Sequence, residues 1–244
     1  GKNLPRFGRF FLGRVIGPRW SHKKVRCHYC NKKIRVKRLL AKWNARRYDS
    51  DLRPFYGHYH QKDRIWFCHH CSYAAYAEDF YLSYSKSRMK QAIIPLHKRL
   101  QTKRYSPTIS RFHAAAAAYW ARKQNSRFFG KLFIRAVWAA REEREHKAIP
   151  QFRQRAIAAM TIAFRRNEYS AKEKASAAYL LAELFRQEGK FRNALSWLEK
   201  ALHTLELQKK KKTKGIHFSR DLEGWIFQLQ VQIAKRNKRI FVLH

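Results

Sequence analysis

Four cysteines in two Cys-x-x-Cys pairs are the residues of this sequence whose type and spacing most directly imply chemistry. Cys27 and Cys30 form the first pair, Cys68 and Cys71 form the second, and 37 residues separate the two. Two cysteines so spaced on a tight turn can direct both thiolates at one ion, and two such pairs satisfy the tetrahedral preference of zinc. The spacing therefore predicts a zinc site, with redox-active or incidental pairs as the alternative.

The predicted zinc is structural rather than catalytic. A catalytic zinc keeps one position open for water and usually has histidine or carboxylate among its ligands, whereas four cysteines close the shell. His28, His69 and His70 lie inside the cysteine loops, where we expect them to face solvent or an anion. No carboxylate stands at a helix-borne HExxH-type spacing, so the metal is predicted to hold the fold.

Asp49 and Asp51, in the stretch DSDLRP, are a second candidate for metal chemistry because two such acids can bind a divalent ion. A zinc hydrolase or nuclease is the corresponding function. The simpler interpretation is a salt-bridged brace for the zinc head, made with Arg46, Arg47 and Arg53. The chain has no Gly-rich phosphate loop and no nucleophile elbow, so we predict that it is not an enzyme.

The net charge of +39 is the strongest compositional signal. Such a charge opposes folding by self-repulsion unless an anionic partner neutralises it. Nucleic acid is the leading partner, because each neutralised phosphate also releases condensed counterions. The alternative is that the basic surface of this protein contacts acidic protein subunits or an anionic envelope. The first 48 residues hold sixteen Lys or Arg and no acid, which predicts an extended RNA-binding arm.

The cations predicted to contact RNA lie in this arm, before Asp49 and in a lysine run near the C-terminus. They are Lys2, Arg6, Arg9, Arg14, Arg19, Lys23, Lys24, Arg46, Arg47, Lys209, Lys210, Lys211, Lys212 and Lys214. The aromatic residues available to stack on bases are Phe7, Phe10, Phe11 and Trp20. Taken singly, each cation is equally well explained as solvated surface, so the prediction rests on the set.

The elements that must position these residues are two short strands and a series of helices. KKIRVKRLL alternates apolar and basic residues, DRIWFC is rich in aromatic and β-branched residues, and each lies beside a cysteine pair. After Ser85, apolar residues recur at three- and four-residue spacing, and Ser110 is a plausible helix N-cap. The predicted fold is α+β but mostly α, with a small zinc-ribbon-like β head followed by antiparallel helical hairpins.

The predicted domain boundaries follow the changes in composition. Residues 1–21 form an extended basic arm, 22–85 the zinc-knuckle domain, 86–208 a helical array, 209–216 a lysine-rich loop, and 217–244 a capping helix and tail.

The stretch from Ala175 to Leu202 matches the pattern of a tetratricopeptide repeat, with a generic helical bundle as the alternative. Small residues let two helices approach, a glycine permits the turn, and large residues fill the gaps. The residues of this predicted protein-docking array are Leu181, Ala182, Gly189, Phe191, Ala194, Trp197, Leu198 and Ala201. Such arrays bind peptides or protein surfaces.

The chain resembles a bacterial family, the domain-of-unknown-function family 2225. The resemblance rests on VRCHYCNKKIRVK, RRYDSDLRPFYGHYHQKDRIWFCHHCSYAAYAEDF, LFIRAVWAAREE and AYLLAELFRQEGKFRNALSWLEKAL, and covers roughly Lys24 to Gln230. It implies a zinc knuckle on the same four cysteines and a tetratricopeptide-like tail. The family usually has Pro and Gly at the positions of His28, His69, Asn31 and Ser72, which predicts looser knuckles in this chain.

Two functions therefore compete. The first is a non-enzymatic basic scaffold or adaptor that binds RNA in a ribonucleoprotein such as the ribosome, with the helical array docking other protein subunits. The second is a structural subunit of a large protein assembly whose basic surface meets acidic subunits or an anionic envelope. Neither needs a small-molecule substrate. Four cysteines that all lie in Cys-x-x-Cys pairs suggest metal ligation more than a disulfide framework, which favours a reducing compartment and a cytoplasmic location. No apolar run approaches the roughly 18 residues that span a bilayer.

Overall fold

The computed structural model describes residues 20–39, 48–54, 61–102, 105–210 and 218–243. Within these residues the strands form antiparallel pairs. The strands are β1 (Trp20–Arg26), β2 (Lys33–Leu39), β3 (Tyr48–Asp49), β4 (Ile65–Phe67), β5 (Ala74–Tyr76) and β6 (Val242–Leu243). Two 3-10 turns, Gln61–Arg64 and Ala77–Asp79, flank the β4–β5 pair.

The β head consists of two hairpins, and each cysteine pair is the loop of one of them. β1 pairs with β2, and β4 pairs with β5. The strands predicted from KKIRVKRLL and DRIWFC are confirmed as β2 and β4. Their partners β1 and β5 were not predicted; β1 begins at Trp20, inside the segment predicted as an extended arm.

The helices follow the head and confirm the predicted mostly helical class. They are α1 (Lys86–Thr102), α2 (Pro107–Ala121), α3 (Ser126–Glu142), α4 (Ala148–Arg165), α5 (Ala171–Gln187), α6 (Phe191–Lys210) and α7 (Phe218–Ala234). Consecutive helices pack as hairpins, α3 on α4 and α5 on α6, and α7 lies against α6 and α5. Since α6 continues through Lys210, the first two lysines of the predicted loop at 209–216 end a helix.

The helix starts are set by capping side chains. The Ser106 hydroxyl accepts a hydrogen bond from the Ile109 amide at 3.1 Å, and Pro107 occupies the first helical position. The prediction that Ser110 caps this helix is therefore wrong by one turn, because proline directly after a serine cap already begins the helix. The Asn125 side chain caps α3 in the same way, accepting from Phe128 at 3.0 Å.

Small residues let the helices approach closely. Ala114, Ala115 and Ala118 of α2 are fully buried. A Cβ on Gly130 of α3 would lie 2.5 Å from Cγ of Met160 on α4, so this crossing admits no larger residue without movement. The core of the array thus depends on residue size as well as hydrophobicity.

The C-terminal tail pairs with a segment that lies between the two hairpins of the β head. β6 pairs with β3, with Tyr48 opposite Leu243 and Asp49 opposite Val242. The segment between the hairpins is thereby joined to the tail that follows α7. In the part of the chain that the structure describes, no helix has the length and apolar content needed to cross a membrane.

Candidate metal centre

The two cysteine loops have the same backbone geometry. The Asn31 amide donates to the Cys27 carbonyl at 2.9 Å, and the Ser72 amide donates to the Cys68 carbonyl at 2.8 Å. Asn31 and Ser72 both adopt φ of 60°, the left-handed region that glycine occupies most easily. Each non-glycine residue in this region costs roughly 1 kcal/mol, and the prediction that the knuckles are looser than those of the family stays a prediction.

The four sulfur atoms converge between the hairpin loops. Sγ of Cys27 lies 3.7 Å from Sγ of Cys71, and Sγ of Cys30 lies 3.6 Å from Sγ of Cys68. All four sulfurs lie within 4.8 Å of one another, and Cys27, Cys68 and Cys71 are buried. These separations far exceed a disulfide bond of about 2.05 Å. The predicted cysteine cluster is confirmed, and its donor set can bind one metal ion.

Proximity among the thiols shifts their pKa values in opposite directions. The hydrogen bond from Cys27 holds the pKa of Cys68 well below its ordinary value. The hydrogen bond with Cys27, together with that to Cys68 and burial, raises the pKa of Cys71. Because metal ligation requires thiolates, binding at this site must release protons.

The three loop histidines lie outside this sulfur cluster. His69 and His70 are exposed, with ring centroids 3.9 Å apart, while the His28 ring packs 5.0 Å from that of Tyr84. Burial and then the charge of Arg122 lower the pKa of His28. The neutral form of His28 is thus favoured beside the aromatic layer.

Arg122, near the end of α2, joins the metal centre to the helices. Its Nη2 donates to the Tyr73 hydroxyl at 2.5 Å and to the Leu82 carbonyl at 3.2 Å. Its guanidinium lies over the rings of Tyr119 and Tyr84, at 5.5 and 5.9 Å from the centroids. These contacts hold Tyr73 and the segment from Leu82 to Tyr84, which follow the second knuckle, against the end of α2. Sequence reasoning missed this residue, because nothing in its neighbourhood distinguishes it from other arginines.

The DSDLRP segment is an ion-paired brace. Nε of Arg53 lies 2.8 Å from Oδ2 of Asp49, and Nη2 of Arg141 lies 2.6 Å from Oδ2 of the fully buried Asp51. Burial raises the pKa of Asp49, against the opposing charges of Arg53 and Arg141. The predicted partners Arg46 and Arg47 lie outside the described residues. Sequence reasoning missed Arg141, which connects the brace to α3.

Glu183 and Arg186 form a buried ion pair on α5, with both side chains 0% exposed. The Ser50 hydroxyl and the Gln187 amide donate to Glu183 at 2.6 and 2.8 Å. Arg186 donates to the Arg239 carbonyl at 2.9 Å and also to that of Asn237. This network fastens the C-terminal tail and the segment after β3 to the helical array.

The predicted RNA contacts are divided between described and undescribed parts of the chain. Lys23 and Lys24 are exposed on β1, and Lys209 and Lys210 are exposed at the end of α6. Lys209 pairs with Glu223 of α7 at 2.6 Å. The remaining predicted cations lie outside the described residues: Lys2, Arg6, Arg9, Arg14, Arg19, Arg46, Arg47, Lys211, Lys212 and Lys214.

The residues predicted as a protein-docking array pack the α5–α6 hairpin. The buried ones are Leu181, Ala182, Ala194, Trp197, Leu198 and Ala201. Phe191 is half-buried, and Gly189 has φ of +74° in the turn. The six buried side chains therefore form the interior of the hairpin.

Comparison with known families gives one match. The model of a family described as an uncharacterized protein conserved in bacteria (DUF2225) matches residues 20–223, which span the β head and the helices through the start of α7. Neither the curated proteins nor the solved structures contain a match to the chain.

Proposed function

This chain belongs to the DUF2225 family of bacterial proteins, and we propose that it is a non-enzymatic scaffold that binds RNA within a ribonucleoprotein such as the ribosome. Its β head carries a structural zinc ion on Cys27, Cys30, Cys68 and Cys71. Its helices form a tetratricopeptide-like array that docks neighbouring protein subunits. The four free thiols agree with a cytoplasmic location.

The observation that carries this proposal is the inward placement of the acidic side chains. Among the described residues before Glu199, Glu78 is the one well-exposed acid, against twenty-two well-exposed lysines and arginines. The other acids in this range are buried or half-buried, and several brace the interior, as Asp51 and Glu183 do. Ion pairs such as Lys37–Asp63 and Lys131–Glu173 neutralise only a small part of this positive charge, which favours a polyanionic partner with many closely spaced charges.

The choice of zinc is supported by the sulfur geometry. A tetrahedron with zinc–sulfur distances of about 2.3 Å has sulfurs about 3.8 Å apart. The 3.7 Å between Cys27 and Cys71 and the 3.6 Å between Cys30 and Cys68 match this edge length. Four thiolates leave no open position for water, so the ion stabilises the head and supplies no catalytic step.

The absence of an enzymatic role is supported by the state of the carboxylates. Asp49 and Asp51, the second candidate for a divalent-ion site, each form an ion pair with an arginine. Within the described residues, the four cysteines are the one group of three or more potential ligands close enough to hold a metal ion.

A structural subunit of a protein assembly is the second candidate, and the C-terminal helices favour it. The acids Glu199, Glu206, Asp221 and Glu223 are exposed there, beside the exposed side chains of Leu195, Leu202, Leu207 and Phe227. This surface combines four exposed acids with exposed apolar side chains, whereas Glu78 is the one well-exposed acid among the described residues before Glu199. It supports protein docking at α6 and α7, whether or not the head binds RNA.

Isolation of the native protein at low salt tests the proposal. We expect it to co-purify with RNA, to be released by RNase, and to lose affinity for RNA steeply on a log–log salt titration. Mock digestion without RNase is the control. Persistence of a stoichiometric protein complex after RNase, with no bound RNA, would overturn the RNA-binding function and favour the second candidate.

A further inference from the structure

The outward face of the β1–β2 hairpin consists entirely of basic residues and histidine over three consecutive cross-strand pairs. His22 lies opposite Lys37, Lys24 opposite Arg35, and Arg26 opposite Lys33. All six side chains are exposed. We call this set the cationic ribbon.

The opposite face of the hairpin explains why the register is fixed. Val25, Ile34 and Val36 are buried at 8%, 3% and 6% exposure. Because side chains alternate between faces with a period of two, burial of these residues holds the cationic ribbon toward solvent. A slip of one residue would bury lysines and arginines, so the charged face is a stable feature of the fold.

Repulsion among the charges of the cationic ribbon destabilises the β1–β2 hairpin. Like charges directly opposite each other on a strand pair are destabilising, and a two-stranded hairpin by itself is only marginally stable. Within the described residues, the pair of Lys37 with Asp63 at 3.1 Å is the one ion pair on this face. Among the described residues, no carboxylate forms an ion pair with the cross-strand pairs Lys24–Arg35 and Arg26–Lys33. This arrangement is expected of a surface whose charge is neutralised by an external polyanion.

A groove of about 580 Å³ continues the cationic ribbon toward the helices. His22, Arg35 and Lys37 line one side, and Lys62 and Arg111 add cations from the head and from α2. Asp63, which is buried, also lines the groove and pairs with Lys37. Half-buried Phe67 supplies an aromatic ring at this groove, a group on which an unpaired base can stack.

We propose that the cationic ribbon is the site in the β head where this protein binds the phosphate backbone of RNA; this inference rests on the proposed function. Residues two apart on one face repeat every ~6.8 Å, and the two strands give two parallel rows of charge. Such contacts position the backbone and do not read sequence. An acidic protein fits less well, because protein interfaces have cores depleted of charge and this face offers no apolar centre.

The test uses the full chain with its metal and a 20-nucleotide single-stranded RNA of mixed sequence. The variant Lys24→Gln/Arg35→Gln removes one rung of the cationic ribbon. The matched control, Lys172→Gln/Arg192→Gln, removes one lysine and one arginine that are exposed at the starts of α5 and α6. Fluorescence anisotropy is measured between 50 and 200 mM KCl, with polyglutamate as a competing polyanion.

We expect the ribbon variant to weaken RNA binding on the order of tenfold and to reduce the log–log salt slope by about 1.5, since each phosphate contact contributes about 0.7–0.9. The control should keep most of the affinity. The denaturation midpoint of the ribbon variant should not fall, because removing opposed charges relieves repulsion.

The outcomes separate the inference from the proposed function. If the wild type binds RNA and both double variants weaken it equally, the cationic ribbon is not the site, while RNA binding stands. If the wild type binds no RNA in this salt range, or polyglutamate displaces RNA at equal charge concentration, the proposed function itself fails.

Discussion

The sulfur cluster and the Glu183–Arg186 network both connect parts of the chain that are distant in sequence, but they do so through different kinds of interaction. The cluster joins two hairpin loops through thiols that are suited to a metal ion. The network joins α5, the segment after β3 and the C-terminal tail through hydrogen bonds and charges within the protein. The comparison predicts that the head requires a bound metal ion for its stability, whereas the helical array and its tail do not.

Cys68→Ser should have the largest effect and would separate the two regions most clearly. A structural zinc site contributes on the order of 10 kcal/mol of apparent binding free energy. We expect loss of the bound metal, rapid amide exchange in β1, β2, β4 and β5, and little change in the exchange of α5. Metal analysis by mass spectrometry and hydrogen exchange measure these effects.

The control for this variant is His70→Ser, which changes an exposed residue in the same loop. It should keep one metal ion per chain and slow exchange in the head. If Cys68→Ser retains its metal, or if α5 loses protection together with the head, the two regions are not independently stabilised.

Arg186→Met should have the next largest effect, and it acts on the other region. It leaves the charge of Glu183 buried without its partner, which costs roughly 3–5 kcal/mol in unfolding free energy. The midpoint of urea unfolding should fall accordingly, while metal content stays unchanged.

The double variant Glu183→Gln/Arg186→Met is the informative control. It removes both charges and leaves Ser50 and Gln187 with a polar partner, so we expect much of the lost stability to return. A single-variant cost below about 1 kcal/mol would show that the ion pair is not what holds the tail.

Glu173→Gln should have the smallest effect and tests a pH dependence confined to the helices. Burial raises the pKa of Glu173, but hydrogen bonds from Lys131 and Ser170 outweigh it and lower the pKa from 4.5 to about 2. A lowered pKa means that Glu173 stabilises the fold above pH 4.5 and loses this effect as pH falls toward 2. Since its side chain is 32% exposed, we expect about 1 kcal/mol at most.

Unfolding free energies of the wild type and of Glu173→Gln, measured at pH 7 and pH 3.5, check this prediction. The variant should be the less stable at pH 7, and the difference should shrink at the lower pH. Glu206→Gln, at an exposed position on α6, is the control and should change neither value. A difference that grows on acidification would contradict the assignment.

The metal site and the fold class could be predicted because their signals are local in the sequence. Cys27 and Cys30 share one turn, as do Cys68 and Cys71, so spacing alone indicates convergent thiolates. Helices appear as apolar residues at three- and four-residue spacing. The strand pairs were half predicted, because β5 is only three residues long, and β1 carries just one buried apolar residue, Val25, among the residues whose burial is described.

The pair of Asp49 with Arg53 was predicted because the two residues are four apart, but the carboxylate partners that come from distant parts of the chain could not be predicted. Asp51 meets Arg141, and Glu183 meets Ser50, across 90 and 133 residues. In a chain with 55 lysines and arginines, an acid has too many possible partners for sequence to choose among them. The residues predicted for protein docking show the same limit, since repeat positions such as Ala182 and Leu198 pack the hairpin itself.

By itself, the sequence determined the four clustered thiols, the mostly helical class and the size of the positive charge, since these depend on residue type and short spacing. The tertiary structure alone decided where that charge lies. It turned most acids inward, several of them toward distant arginines, and it fixed the register that places six basic or histidine side chains on one face of β1 and β2. The physical reason is that side chains alternate between the two faces of a strand. When Val25, Ile34 and Val36 are buried, the alternate residues of β1 and β2 must point into solvent.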